Sequence, residues 1–260
     1  MKKILMLIAS FLIFSMSFAQ EKPLVVGMEL AYPPFETTDT KGNPTGFSVD
    51  LAKALGDYLH RPVTIENMSY GGLIPSLLTK KIDIIISSMS ITPEREKAIS
   101  FSQPYANSYL TLLVNNKSNI KVPEDLNENG RKIAVKNGTT AHLVAQKYFP
   151  KAEILVFPKE TAAVLEVSQH RVDAFIYDPL SIYNNWKHYK DTTTPIFTKF
   201  QTENEYWGIG YRKDDPELGK KINDFLEQYK KDGGFQKLTD KYLKEEKELF
   251  QKQGLQFFIN

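Results

Sequence analysis

The 260-residue chain has no cysteine. That excludes disulfides, thiolate metal sites, cysteine nucleophiles and the thiol on which a bacterial lipid anchor is built. Histidine is scarce: His60, His142, His170 and His188 are the four present, and none stands at metal-ligand spacing from another. Neither sign of charge is in surplus. Of 33 Lys and Arg, Lys2 and Lys3 fall in the N-terminal stretch, which leaves 31 to balance 31 Asp and Glu. A balanced chain offers no basic field for nucleic acid. No Gly- or Ser-rich linker separates independently tethered domains. Beyond the N-terminus, no apolar run approaches the ~20 residues that a spanning helix needs.

What is present is an ordinary globular composition, 42% hydrophobic and 25% charged, with room for one or two domains. The first residues, "MKKILMLIASFLIFSMSFAQ", pair two lysines with an apolar run from Ile4 to Phe14, followed by the small residues Ser17 and Ala19. This is the layout of a secretory signal peptide, and residues 1–19 are expected to be removed after Ala19. The mature chain is expected to be a free, monomeric periplasmic protein without cofactor or metal.

Downstream, strands alternate with helices. "PLVVGM", "PVTIEN" and the nearly continuous apolar run "IDIIIS" read as strands, and "FSVDLAKALGDYL" and "GGLIPSLLTK" read as helices. The pattern restarts with "RKIAV", "TTAHLVAQKYF", "EILVF", "AAVLEVSQH", "VDAFIY" and "PLSIYNNW". Such alternation predicts an α/β fold with mostly parallel sheets flanked by helices. "KIDIII" and "RVDAFI" echo each other, which suggests a duplicated architecture. "SYLTLLVNN" and "YWGIGYR" read as strands able to cross between two halves. The chain closes in helices, with Asp215 as cap, Pro216 at the first position and Gly233 as stop.

Three strands run into polar loops that open helices: "SSMSITPER", "KNGTTAH" and "DPLSIY". In open α/β sheets ligands bind at such carboxyl ends. In "SITPER", Thr92 caps, Pro93 is the first helical residue and Arg95 the third, where a capping box would place Glu or Gln. The arginine reads either as one arm of a carboxylate site or as a surface residue paired with Glu94 or Glu96. The two threonines of "NGTT" and the aspartate of "YDPLS" each read as a plain cap or as a site wall. Together, a cation in one half and Asp178 in the other suit the two charges of a free amino acid. Tyr32 and Tyr70 follow the first two strands, at the same sheet edge, where two rings can sandwich a side chain.

These motifs, with "AYPPFE", "GFSVDLAKAL", "IAVKNGTT", "RVDAFIYD" and "KKDGGFQKL" in order, resemble the periplasmic amino-acid-binding proteins of ABC importers, the family of the histidine, lysine/arginine/ornithine, arginine and glutamine binders. The resemblance spans essentially the whole mature chain. It implies a two-lobed periplasmic-binding-protein fold of type II, with residues 20–108 and 205–260 in one lobe, 109–204 in the other, and two crossing hinge strands. It further implies delivery to a permease in the inner membrane. Carried over, Arg95 holds the ligand's α-carboxylate with Ser90 and Thr140, Ser88 accepts from the α-amino group, and Asp178 pairs with it. Tyr32 and Tyr70 stack on the side chain, and Glu29 faces its far end. Glu29 and "YPPFE" are most similar to arginine binders, whereas Lys136 before "NGTT" is similar to glutamine binders, so arginine ranks first and glutamine second. A cyclohexadienyl dehydratase, an enzyme on the same fold, is the alternative, with Glu29 as its general acid.

Overall fold

The computed structural model describes residues 22–201 and 205–259, so the expected leader lies outside the described residues. Two five-stranded sheets form the frame. The first runs Val63–Asn67, Leu24–Met28, Ile84–Ile85, Gly210–Tyr211, Ser100–Phe101, and the second Glu153–Phe157, Lys132–Lys136, Ala174–Tyr177, Thr111–Asn115, Thr193–Ile196. In each, the first three strands are parallel with the earliest strand in the middle, and the remaining pairings are antiparallel. Ala106–Ser108 and Glu205–Trp207 pair as a separate antiparallel ribbon where the chain passes between the sheets. The molecule is thus a two-lobed α/β protein of the periplasmic-binding type.

The duplicated pattern has a physical basis in the echoed motifs. The backbone of Lys80 (φ 62°) and of His170 (φ 58°) turns left-handed three residues ahead of an aspartate. Asp83 then accepts from Val25 N at 3.0 Å and Asp173 from Lys132 N at 2.8 Å. Each carboxylate stitches the third strand of its sheet to the first strand's entry, and each also meets an arginine, Arg61 at 3.0 Å and Arg131 at 3.4 Å.

The helices bury one face each against these sheets. Phe47–Tyr58 buries Phe47, Leu51 and Leu55, the positions the helical spacing selects. Pro216–Lys231 begins as expected, with Asp215 accepting from Leu218 N and Pro216 at the first position. Two helices are shorter than the sequence suggests. "GGLIPSLLTK" yields a 3-10 turn at Tyr70–Gly72 and a helix only over Leu73–Leu78, and "TPERE" gives a single turn, Pro93–Glu96. The C-terminal residues close over the first lobe: Phe258 is buried against Phe35 (5.2 Å between centroids), Phe250 (5.3 Å) and Trp207 (5.5 Å).

Gly46 fixes the loop that carries Tyr32 and Glu36. Its φ is +119°, and a Cβ there would meet the backbone oxygens of Phe35 and, at 2.8 Å, Pro34. Gly46→Ala is therefore expected to lower stability by at least roughly 1–3 kcal/mol, the scale of left-handed strain alone, read as a lower urea midpoint with unchanged slope.

Candidate ligand site

A cavity lies between the lobes, walled by residues of both lobes and of the crossing ribbon. Eight of the nine residues named from sequence line it: Glu29, Tyr32, Tyr70, Ser88, Ser90, Lys136, Thr140 and Asp178. Arg95 is the exception. The structure does not bring it to the cavity wall; it lies behind, beside Tyr70, Gly71, Gly138 and Thr139 in an adjoining recess. The cause is local, because its guanidinium fork has found two backbone carbonyls, Ser90 O at 2.6 Å and Gly138 O at 3.0 Å. The second bond links the lobes.

The surface reading of Arg95 does not hold. The residue is 7% exposed, Glu94 pairs instead with Lys97 at 3.0 Å, and among the described residues no carboxylate lies within ion-pair distance of Arg95. The helix that carries it, Pro93–Glu96, is one turn long, too short for the macrodipole to matter much. What remains is a buried guanidinium with neutral partners.

Asp178 caps the helix Pro179–His188: Oδ1 accepts from Leu180 N at 2.9 Å and Ser181 N at 3.0 Å. Its other oxygen, Oδ2, is buried and has no hydrogen-bond partner. Burial pushes this carboxyl up from its usual range, and the Ser181 amide, the Tyr32 and Ser181 hydroxyls and the Leu180 amide oppose that. Capping and cavity-lining are therefore simultaneous roles of one side chain.

On the same cavity wall, Lys136 Nζ forms an ion pair with Glu29 Oε2 across the cleft, with both side chains buried. Tyr70 N donates to Glu29 Oε1 at 3.3 Å. Tyr70 also lies between two cations, with Arg95 Cζ 5.7 Å and Lys136 Nζ 5.6 Å from its centroid. Tyr32 meets Tyr177 and Trp207 edge-on at 6.0 and 6.1 Å. Thr139, rather than Thr140, precedes the helix Thr140–Tyr148, and its hydroxyl donates back to Lys136 O at 2.7 Å.

Several cavity residues were not singled out from the sequence. Glu36 ends the quoted "AYPPFE", and its carboxyl receives Ser48 Oγ at 2.6 Å, Ser88 Oγ at 3.1 Å and Ser87 Oγ at 3.4 Å. Burial pushes it up to about 8, against the bonds from Ser48 and Ser88. Ser88 itself is held at φ 48°. Glu205, on the crossing ribbon, accepts from Ser90 Oγ at 2.8 Å and from Gln201 Nε2 at 3.3 Å. Tyr177, Leu110 and Trp207 complete the apolar wall.

A polar cleft between two like sheets, with charged groups facing each other across it, defines a two-lobed small-molecule-binding protein. The chain belongs to the bacterial extracellular solute-binding proteins, family 3, which it matches over residues 24–245. It is similar to ABC transporter arginine-binding protein 1 of Escherichia coli (strain K12), with 33% identity covering 93% of this chain and 99% of that one. It is also similar to the L-cystine-binding protein TcyJ of the same strain, with 30% identity covering 84% and 82%. Among solved structures, the ancestral amino acid-binding protein AncCDT-1, described as a precursor of cyclohexadienyl dehydratase, is 39% identical with a TM-score of 0.76 over 85% of this chain and 95% of that one. An ancestral arginine-binding protein bound to arginine is 34% identical with a TM-score of 0.78, covering 86% and 99%.

Proposed function

We propose that this protein captures a free L-amino acid in the periplasm and delivers it to the permease of an ABC importer, with arginine the preferred ligand and glutamine second. The observation that carries the reading is Oδ2 of Asp178, a buried carboxylate oxygen at the cavity with no partner at hydrogen-bond geometry and only the Tyr32 and Ser181 hydroxyls bearing on its carboxyl. A buried acceptor left open costs free energy until something donates to it, and an α-ammonium supplies the donor and the opposite charge together. The α-carboxylate goes to Ser90 and Arg95 on the other lobe, Arg95 exchanging its Gly138 carbonyl for the forked anion, and to the Thr140 end of the helix Thr140–Tyr148 on Asp178's own lobe.

Arginine ranks first on charge. Four carboxyl groups, Glu29, Glu36, Asp178 and Glu205, line the cavity against one ammonium, Lys136. A zwitterion leaves that acidic surplus untouched, and a guanidinium reduces it. Glutamine ranks second because the Lys136–Glu29 pair presents both a donor and an acceptor to a side-chain amide without breaking.

The reading is a binder rather than an enzyme. Glu29, the carboxyl that an elimination would need as its acid, is committed to Lys136. The kinship with dehydratase precursors makes prephenate and arogenate necessary controls.

A thermal-shift screen against the twenty amino acids, ornithine, prephenate and arogenate tests all of this. A ligand at a thousand times its Kd adds about 4 kcal/mol to the native state, several degrees of melting temperature for a chain of this size. Arginine is expected to give the largest shift. Silence from every amino acid, or a response to prephenate alone, defeats the proposal.

A further inference from the structure

Of the four carboxyls lining the cavity, three have an evident occupation. Glu29 pairs with Lys136, Asp178 caps a helix, and Glu205 takes Ser90 and Gln201. Glu36 does not. It is 1% exposed, and the side chains bonded to it are three serine hydroxyls from two elements: Ser48 on the helix Phe47–Tyr58, and Ser87 and Ser88 on the loop after Ile84–Ile85. The titratable and charged groups that bear on it are Tyr32 on its own loop, Tyr70, Tyr105 and, from the other lobe, Lys136. Lys136 is the one cation in that set, and it is committed to Glu29. An ionised carboxyl buried without a cation is costly, so the empty site favours the acid form.

Ser88 connects this carboxyl to the cavity. While Glu36 is an acid, its O–H competes for the lone pairs of Ser88 Oγ. Once Glu36 is a carboxylate, the serine hydroxyl donates to it and turns its lone pairs outward. An ammonium resting on Asp178 is the missing cation, since Asp178, Tyr32, Ser88 and Glu36 line the same cavity.

We propose that Glu36 is a positioning residue for amino-acid capture: when the ligand's ammonium enters, the Glu36 O–H bond breaks, the proton leaves to solvent, and the carboxylate fixes Ser88 as an acceptor for the ammonium. This rests on the amino-acid reading above. It gives the binding reaction a proton product and a definite pH dependence. The bound state holds fewer protons than the empty one, so affinity rises with pH and levels off above the empty-site titration of Glu36, which burial places at about 8. Below that point, Kd falls by up to about tenfold per pH unit.

The test is calorimetric titration of the protein with L-arginine, then L-glutamine, at pH 7 in buffers of different ionisation enthalpy. Release approaching one proton per ligand is expected for both, with Kd falling from pH 6 to 8 and flat above. Glu36→Gln should still bind, with proton release lower by close to one per ligand than in the native protein, any remainder coming from Asp178 and the Glu160 beside it. Ser48→Ala, whose hydroxyl stabilises the carboxylate from outside the cavity, should move the levelling point to higher pH, and it decides the matter should Glu36→Gln not fold. Binding without proton release in the native protein overturns the inference alone. So does full release in Glu36→Gln, or an unmoved levelling point in Ser48→Ala. Absence of any amino-acid binding overturns the functional reading first.

Discussion

Arg95→Ala is expected to lose amino-acid binding by a hundred-fold or more while the protein remains folded. The side chain is buried with two carbonyls and a tyrosine face around it, and among the described residues no carboxylate pairs with it. Breaking a desolvated ion pair by removing one partner costs about 3–5 kcal/mol, which is two to three orders of magnitude or more in Kd. Here the pair exists only in the complex, so the loss falls on binding and not on the free fold. The free variant loses two hydrogen bonds to carbonyls at the edge of a recess, and its melting temperature should move by only a few degrees. Arg95→Lys separates charge from geometry: the ammonium keeps the sign but cannot fork, so an intermediate loss is expected. A calorimetric affinity within about threefold of the native value in Arg95→Ala would reduce Arg95 to a brace between the lobes.

That arginine also shows how far the sequence could be read. The duplicated sheets were legible because each half repeats strand, helix, strand, helix, strand, and because "KIDIII" and "RVDAFI" carry the same aspartate that stitches the third strand to the first. Asp178 was legible because the polar end of a buried strand that opens a proline-led helix is a sheet-edge position whatever the fold. Arg95 was placed correctly along the chain but not in space. Its side chain is long, and the nearest strong acceptors were the carbonyls of Ser90 and Gly138, the latter 43 positions away in the other lobe. No local pattern reports a bond made across a closed cleft.

The same limit explains Glu205 and Glu36. Glu205 reaches the cavity because the crossing ribbon sets it opposite Ser108, a pairing between segments about a hundred residues apart. Glu36 stood inside a quoted motif, but a glutamate before two threonines and a charged turn looks solvated. It is buried because Gly46 allows the loop to fold back, with Phe47 N donating to Pro34 O at 3.1 Å and Ser48 N to Phe35 O at 2.8 Å. The C-terminal tail posed the reverse difficulty. Its aromatics were plain in the sequence, but the surface they cover, Phe35 and Trp207, is assembled from opposite ends of the chain.

Lys136→Met should change which amino acid is held, and by a wide margin. In the native protein the Lys136–Glu29 pair crosses the cleft at the cavity, both groups buried. Methionine fills similar volume without charge and leaves Glu29 alone in a dry site, where an unpaired carboxylate costs several kcal/mol until a cation arrives. Arginine supplies that cation in the forked geometry a carboxylate prefers. Glutamine loses the ammonium that donates to its amide oxygen and meets an acidic group in its place. The ratio of arginine to glutamine affinity is therefore expected to rise by about a hundred-fold, corresponding to roughly 3 kcal/mol of differential interaction. The free variant should melt below the native protein, with arginine restoring more than it adds to the native chain because it now satisfies a group the fold leaves open. Parallel calorimetric titrations with the two ligands measure the ratio directly. Equal losses for both would mean that the pair only holds the lobes together and that side-chain selection lies elsewhere in the cavity.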